Sequence, residues 1–290
     1  MEKDYRTALG KFWQTVRHLR KEADSFITQA EVTEGDHTPQ APKVYSRVLE
    51  RRVRPLVEPR IQEEQCGFCP SHGALDQLYT LHRVLEGSWE FAQPVHMCFV
   101  DLEKAFDWVP RGILWEVLWE YGVHGPLLRA VRSLCDRSRS LVRIASCKSD
   151  LFPVHVGLRK GCPLSPVLFI AFMDRISRRS QGLEGVQFGD HRISSLLFAD
   201  VVLLAPSSQD LQHTLGRFAA ECEVAGMRVS TSKSEAMVLN WKKVDCTLQV
   251  GGTFLPLVEE FKYLGVLFTS EGRKALDLPV NLRSYSHLWS

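Results

Sequence analysis

The chain has 290 residues, enough to bury a substantial core in one large or two modest domains. Its composition, 44% hydrophobic and 24% charged, is ordinary for a globular protein, and its net charge of +2 is too small to indicate nucleic-acid binding by itself. With no apolar run near the ~20 residues of a membrane span and no secretory signal, we expect an intracellular protein, nuclear or cytoplasmic, not secreted and without a membrane partner.

The N-terminal segment divides into two parts of different character. Residues 1–24 are basic and helix-like, with Phe12, Val16 and Leu19 on one face. Residues 25–42 lose this periodicity and collect Thr, Gly and Pro. The pattern predicts a basic helical leader followed by a linker.

The remaining chain alternates between helical and extended patterns. We expect helices over residues 43–58, 74–91, 109–123, 125–137, 163–178 and 209–225. We expect strands over residues 95–101, 140–146, 151–157, 194–199, 201–205, 227–231, 236–240, 247–250 and 261–268. Because no strict βαβ repeat emerges, the order favours an α+β layer over a doubly wound sheet.

The cysteines give little support for a zinc site. The chain has eight, and without an export signal they are expected to be reduced thiols. Cys66 and Cys69 have the C-x-x-C spacing of zinc ligands. They lack a second C-x-x-C or a nearby His-x-x-x-His.

A single acid interrupts the apolar stretch SSLLFADVVLLAPS at residues 194–207. A carboxylate among so much β-forming hydrocarbon is costly unless a cation or hydrogen-bond donors meet it. Asp200 therefore has two interpretations: it makes the turn of a hairpin, as Asp often does, or it is a metal ligand at the hairpin tip. The second interpretation requires another acid nearby.

Asp101 is the candidate partner for Asp200. It ends the strand VHMCFVDL, where alternation places Val95, Met97, Phe99 and Asp101 on one face. Two acids at the ends of neighbouring strands can share one or two Mg²⁺ ions, which prefer oxygen ligands. Such a site would activate a hydroxyl and neutralise a leaving pyrophosphate.

Several motifs together resemble one polymerase family. FVDLEKAFD, GLRKGCPLSPVLF, LLFADVVLLA, AGMRVSTSKSEAMVL and EEFKYLGVLFT occur in the order and spacing of the palm motifs of reverse transcriptases, above all those of non-LTR retrotransposons. The resemblance covers residues 43–273 and implies an α+β right-hand palm, an antiparallel sheet backed by helices. By the same resemblance, we expect fingers and thumb to be largely missing and residues 274–290 to form a divergent tail.

The resemblance implies catalytic roles for three residues. Asp101 and Asp200 would be the metal ligands, holding two Mg²⁺ ions in an intact relative. Lys233 would protonate the departing pyrophosphate, although a solvated surface lysine is the ordinary alternative.

Further residues would bind substrates. Phe106 resembles the bulky gate that rejects a ribose 2′-OH, the alternative being a core Phe, while Asp107 is expected to fix the turn into the next helix. The loop and helix start that support template and nucleotide would comprise Lys160, Gly161, Ser165 and Pro166.

A third element would hold the primer end. Tyr263, Leu264 and Gly265 resemble the tip of the primer-grip hairpin, although this sequence also suits a strand that ends in a Gly turn.

The chain departs from the family pattern at several positions. Val201 follows Asp200 where the family carries a second consecutive acid, and Lys160 stands where a Gln is usual. Cys69 and His72 lie near positions where the family has basic residues, so we expect a triphosphate contact to be lost.

These features leave three functions open. The chain is an active RNA-directed DNA polymerase, an impaired remnant of one, or a non-catalytic module that binds nucleic acid or protein. The implied partners are an RNA template, a DNA primer and deoxynucleoside triphosphates, and no small-molecule cofactor is expected.

Overall fold

The computed structural model describes residues 31–33, 40–69, 72–144, 147–182, 184–188, 191–198, 200–240 and 246–270. The helices are α1 (Gln40–Val57), α2 (Ala74–Glu90), α3 (Ala105–Trp108), α4 (Arg111–Glu120), α5 (Gly125–Asp136), α6 (Ser165–Ser180) and α7 (Ser208–Val224), with a 3₁₀ turn at Glu58–Arg60. None of these helices is both long and apolar enough to cross a membrane, a finding that covers only the described ranges.

Short strands connect these helices. They are β1 (Glu31–Thr33), β2 (Val95–Val100), β3 (Arg139–Ile144), β4 (Cys147–Lys148), β5 (Phe152–Pro153), β6 (Val186–Phe188), β7 (His191–Ile193), β8 (Ser195–Leu197), β9 (Val201–Ala205), β10 (Glu235–Leu239), β11 (Gln249–Val250), β12 (Thr253–Phe254), β13 (Glu260–Tyr263) and β14 (Val266–Thr269).

A four-stranded sheet lies at the centre of the fold. Its order is β10-β2-β9-β8, and every neighbouring pair is antiparallel. The sheet unites the three strands predicted around Asp101 and Asp200 and adds β10 at one edge. This part of the sequence prediction is confirmed.

Both faces of the central sheet are buried. The helix face, which includes Cys98, Val100 and Leu203, packs into the cluster formed by α4, α6 and α7. The hairpin face, which includes Met97, Phe99 and Leu204, packs against α2 and the β13–β14 hairpin. Strands covered on both sides are mostly apolar, which explains the composition of VHMCFV and VVLLA, where the buried His96 is the exception.

The C-terminal hairpin differs from the single strand expected at 261–268, whereas its turn lies where the resemblance placed a hairpin tip, at Tyr263, Leu264 and Gly265. Residues 261–268 do not form one strand, because positive φ angles at Leu264 (47°) and Gly265 (88°) reverse the chain between β13 and β14. Phe261 of this hairpin stacks on Phe99, with ring centroids 3.7 Å apart.

Other boundaries also need correction. The predicted strand at 227–231 is reduced to a single bridge between Val229 and Leu102, and the one at 151–157 to Phe152–Pro153. The β6–β7 hairpin was not predicted.

The predicted linker contains regular structure in its described part. Strand β1 pairs with β3, and α1 begins at Gln40, inside the predicted linker range. The predicted leader (1–24) and tail (274–290) lie outside the described residues, and the proposed domain boundaries stay predictions.

A buried carboxylate ties α6 to the elements beside it. Asp174 is fully buried and accepts hydrogen bonds from the Tyr121 hydroxyl, the Gln62 backbone N–H (2.9 Å) and Arg178 Nε (2.8 Å). Burial is the main reason that the pKa of Tyr121 is raised, with the bond to Asp174 second. Asp174 therefore joins the ends of α4 and α6 to the loop after α1.

We expect Asp174→Ala to destabilise the fold by about 2–4 kcal/mol, because it leaves buried donors without an acceptor. Urea unfolding followed by circular dichroism measures this loss. Asp136→Ala is the control, since Asp136 is exposed at the end of α5, and it should change stability by less than about 0.5 kcal/mol. Equal effects of the two substitutions would contradict the assignment.

Candidate functional site

The two acids lie opposite each other at one end of the central sheet. The β2–β9 register pairs Phe99 with Val202 and Val100 with Val201, and the next pair in that register is Asp101 with Asp200. Since side chains alternate across a strand, both acids point to the hairpin face, with Phe99 and Val202. The predicted placement on neighbouring strands is confirmed, whereas the role in metal binding stays a prediction.

Burial and the neighbouring charge of Asp101 both disfavour the ionised form of Asp200. Burial raises the pKa of the Asp200 carboxyl above its usual 3.8, and the charge of Asp101 raises it further. Lys233 offers partial compensation, with Nζ 3.7 Å from Asp101 Oδ2, but its side chain is 72% exposed. A cation bound between the two carboxylates would relieve the repulsion.

Two serines hold Asp101 in place through its backbone. The Asp101 N–H donates to Ser234 Oγ (3.1 Å), and the Ser230 N–H donates to the Asp101 carbonyl (2.8 Å). Ser234 is fully buried. Sequence analysis missed both residues; the turn between them also carries the exposed Lys233 beside Asp101.

The turn that carries Asp200 is clamped from the other side by residues 64–67. Leu197 N–H donates to the Glu64 carbonyl (3.0 Å), and the Leu197 carbonyl accepts from Cys66 N–H (2.9 Å). Within the turn, Phe198 N–H donates to the Asp200 carbonyl (3.2 Å), while Ala199 lies outside the described residues. The backbone of residues 64–67 thus extends the sheet beyond β8.

Close approach explains the glycine in this clamp. A Cβ on Gly67 would lie 2.4 Å from the Phe198 carbonyl oxygen, too close for any side chain. The sequence gives no local sign of this contact, because its partner is more than a hundred residues away.

Cys66 and Cys69 flank this glycine as buried thiols. Burial raises the pKa of Cys66 to about 11 and also raises that of Cys69. Within the described residues, no group of three or more His, Cys, Asp or Glu side chains could hold a metal ion. Any metal at the site would depend on the Asp101–Asp200 pair.

Phe106 and the loop before α6 form a second group. Phe106 stacks on Phe169 with ring centroids 4.4 Å apart, and its carbonyl accepts from Leu158 N–H (2.8 Å). Lys160 Nζ contacts Asp107 Oδ2 at 2.9 Å. Asp107 does not cap α4, because Pro110 is the N-cap and the Asp107 carboxylate pairs with Lys160; its expected part in fixing the turn stays a prediction.

The remaining predicted substrate residues lie at element ends. Gly161 has a φ of 75°, in open surroundings, and Ser165 and Pro166 begin α6. Ser165 is buried, with its N–H donating to the Cys162 carbonyl (3.1 Å).

Tyr263 of the β13–β14 hairpin lies close enough to Asp200 to be affected by its charge. It is fully buried, and its hydroxyl makes no hydrogen bond within the part of the chain that the structure describes. Burial raises the pKa of Tyr263, and the charge of Asp200 raises it further. Tyr263 and the acid pair therefore lie on one face, whereas Phe106, Lys160 and Gly161 lie beside α6.

Comparison with known proteins identifies this arrangement. Residues 37–268 match the family described as reverse transcriptase (RNA-dependent DNA polymerase). The chain belongs to this family. The predicted resemblance to non-LTR retrotransposon polymerases is thereby confirmed.

Relatives lie among mobile elements of insects. The reverse transcriptase chain is 26% identical over 243 residues to the Pol polyprotein of the type-2 retrotransposable element R2DM of Drosophila melanogaster, covering 78% of this chain and 23% of that protein. It is 23% identical over 240 residues to the polymerase of mobile element jockey of Drosophila funebris, covering 79% and 26%. It therefore spans about a quarter of the length of these relatives.

Solved structures support the palm fold. Telomerase from Candida tropicalis in complex with the TWJ fragment of telomeric RNA matches with a TM-score of 0.56 and 13% identity, over 83% of this chain and 37% of that one. The apo telomerase matches with a TM-score of 0.54 and 12% identity, over 81% and 40%. At these identities the likeness concerns the fold alone, and it confirms the predicted α+β class.

We expect Gly67→Ala to destabilise the protein by about 1–3 kcal/mol, because the methyl group forces residues 64–67 away from the Phe198 carbonyl. Thermal unfolding measures the change. Gly87→Ala, within α2 and with open space at the Cβ position, should have the opposite sign and stabilise by up to about 1 kcal/mol. A neutral Gly67→Ala would show that the clamp does not exist.

Asp200→Asn should raise the melting temperature at neutral pH. A carboxyl whose folded pKa lies above its unfolded value contributes stability at low pH and loses it as pH rises through the folded pKa. The gain should therefore be largest near neutrality and vanish below about pH 4, where the unfolded chain is protonated too. Melting curves across pH in EDTA measure this, with the exposed Asp150→Asn as control. A pH-independent gain would contradict the electrostatic cause.

Proposed function

We propose that this domain binds primed RNA templates and catalyses RNA-directed DNA synthesis weakly or not at all. The observation that carries this proposal is the acid pair: Asp101 and Asp200 face one another, and Val201 follows where the family has another acid. Its partners would be an RNA template, a DNA primer and deoxynucleoside triphosphates.

The acid pair fits a divalent metal. Asp101 and Asp200 supply the oxygen donors that such a metal prefers. Burial raises the pKa of Asp200, and the charge of Asp101 raises it further. When bound, Mg²⁺ would lower the pKa of the primer hydroxyl and neutralise phosphate charge. With only two carboxylates, we expect weaker binding than the two-ion site of an intact relative.

The remaining residues would position substrates. Lys233, near Asp101 but largely exposed, would reach the departing pyrophosphate and donate a proton. Phe106 would exclude the ribose 2′-OH, and the stretch from Lys160 through Gly161 to Ser165 and Pro166 would support template and nucleotide. The turn of Tyr263, Leu264 and Gly265 would hold the primer end.

The missing acid accounts for the expected impairment. A preorganised electrostatic group contributes about a hundred- to thousandfold in rate, so its loss alone slows the reaction by about that factor. The hairpin nevertheless folds, because Val201 to Leu204 are apolar and either register of β9 buries hydrocarbon on both faces.

Inserting an Asp between Asp200 and Val201 should increase Mg²⁺ affinity by about tenfold or more, since it adds a carboxylate to the site. Isothermal titration with Mg²⁺ measures the affinity, and primer extension on RNA with Mg²⁺ or Mn²⁺ measures synthesis. We expect faster extension than by the parent, though below that of a complete family enzyme.

An Ala inserted at the same point is the matched control, because it changes the register without adding charge. If the Asp and Ala insertions bind Mg²⁺ equally, Asp200 is a turn residue and the metal site is wrong. Robust, processive extension by the parent chain would overturn the proposed impairment.

A further inference from the structure

A basic cavity lies away from the acid pair, where the end of α4 meets the C-terminal half of α6. It has a volume of about 560 Å³ and is lined by Pro59, Arg60, Ile61, Glu120, Tyr121, Arg175, Arg178 and Arg179. A second depression of about 460 Å³ is lined by Trp115, Glu116, Trp119, Glu120, Leu128 and Arg132. Because Glu120 lines both, the two depressions lie side by side, and we call them together the arginine groove.

Positive charge exceeds negative charge in the first cavity. Its lining holds four guanidinium groups and a single carboxylate, that of Glu120. Glu120 is shared, with Oε1 3.0 Å from Arg175 and 3.6 Å from Arg179. Glu116 also lies 3.8 Å from Arg175, and buried Asp174 is bonded to Arg178 beneath the cavity, so four guanidinium groups face three carboxylates.

The exposed arginines of the cavity are its available donors. Arg60, Arg178 and Arg179 are exposed, whereas Arg175 is only 13% exposed and its Nε, closed to solvent, has no hydrogen-bond partner in the described structure. A phosphate accepts bidentate bonds from arginine and would contact the exposed guanidinium groups.

Aromatic side chains stand at the other end of the groove. Trp119 is 59% exposed, an unusual position for the largest apolar side chain, and its ring lies 4.2 Å from the ring of His124. Arg132 lies over the Trp115 ring at 5.8 Å. A basic channel beside an exposed aromatic ring is the arrangement that binds single-stranded nucleic acid.

The groove is distinct from the proposed polymerase cleft, by which we mean the acid pair and the Phe106 group. Ser165 begins α6 beside the Phe106 group, whereas Arg175 and Arg179 lie ten and fourteen residues further along the same helix. At 1.5 Å per residue, this separation is about 15–21 Å.

We propose that the arginine groove binds a single-stranded segment of nucleic acid outside the polymerase cleft. Phosphates would contact the exposed Arg60 and Arg179, and a base would stack on Trp119. An acidic peptide would satisfy the arginines but would leave the exposed indole without a flat partner.

Binding of a fluorescein-labelled oligodeoxythymidine of about ten nucleotides tests this inference by fluorescence anisotropy in EDTA. We expect Trp119→Ala to weaken binding by about tenfold, the scale of one lost base stack. Arg179→Ala should weaken binding too and reduce the slope of log affinity against log salt by about 0.7, the value for one phosphate contact on a single strand.

Arg83→Ala is the matched control. Arg83 is 47% exposed, against 48% for Arg179, and likewise pairs with a glutamate, but it lies on α2 on the hairpin face. It should leave affinity and salt slope unchanged. Glu120→Gln should tighten binding, because it removes the carboxylate that competes for Arg175 and Arg179.

The proposal fails if Arg83→Ala weakens binding as much as Arg179→Ala, or if Glu120→Gln does not tighten it. It also fails if polyglutamate competes as well as the oligonucleotide and Trp119→Ala has no effect, since the groove would then be a general polyanion site. The assay contains no metal or nucleotide, so a chain that cannot extend primers still gives a clear result.

Discussion

The pairing of β2 with β9 is the constraint on which the rest of the site depends. Its antiparallel register brings Asp101 to Asp200 across the end of the sheet, and it directs both side chains to the face that Tyr263 covers. Backbone bonds from residues 64–67 and from the turn at Ser230 and Ser234 then secure the two strand ends. The chemistry available to the chain follows from this geometry, since two carboxylates held together repel each other until a cation binds between them.

Much of this arrangement could be predicted from local pattern. Alternation identified β2 and placed Asp101 with Phe99, and the helical period identified α2, α6 and α7 within a few residues. The palm class followed from ordered motifs rather than from periodicity, because strands buried on both faces lack the polar alternation that marks a one-sided sheet.

The missed features depend on contacts between distant parts of the chain. Gly67 and Ser234 owe their roles to backbone atoms of Phe198 and Asp101, which no local window contains. Periodicity alone missed the β13–β14 turn, because Leu264 adopts a positive φ that leucine does not favour, whereas the motif resemblance placed a hairpin tip there. The arginine groove draws on three separate segments, and only folding places Arg60 beside Glu120 and Arg179.

The hydrocarbon on both sides of β9 has a consequence for how such a chain changes over time. In a sheet with one wet face, losing a residue beside the strand exposes half of its apolar side chains, and the protein fails to fold. Here the same loss would leave the core buried, so a mutation can remove catalysis without preventing folding. Quality-control proteases act on unfolded chains, and they would not remove a product that had lost only its chemistry. A polymerase built on such a strand can therefore become inactive in a single step and persist as a folded protein, with its other surfaces free to acquire new uses.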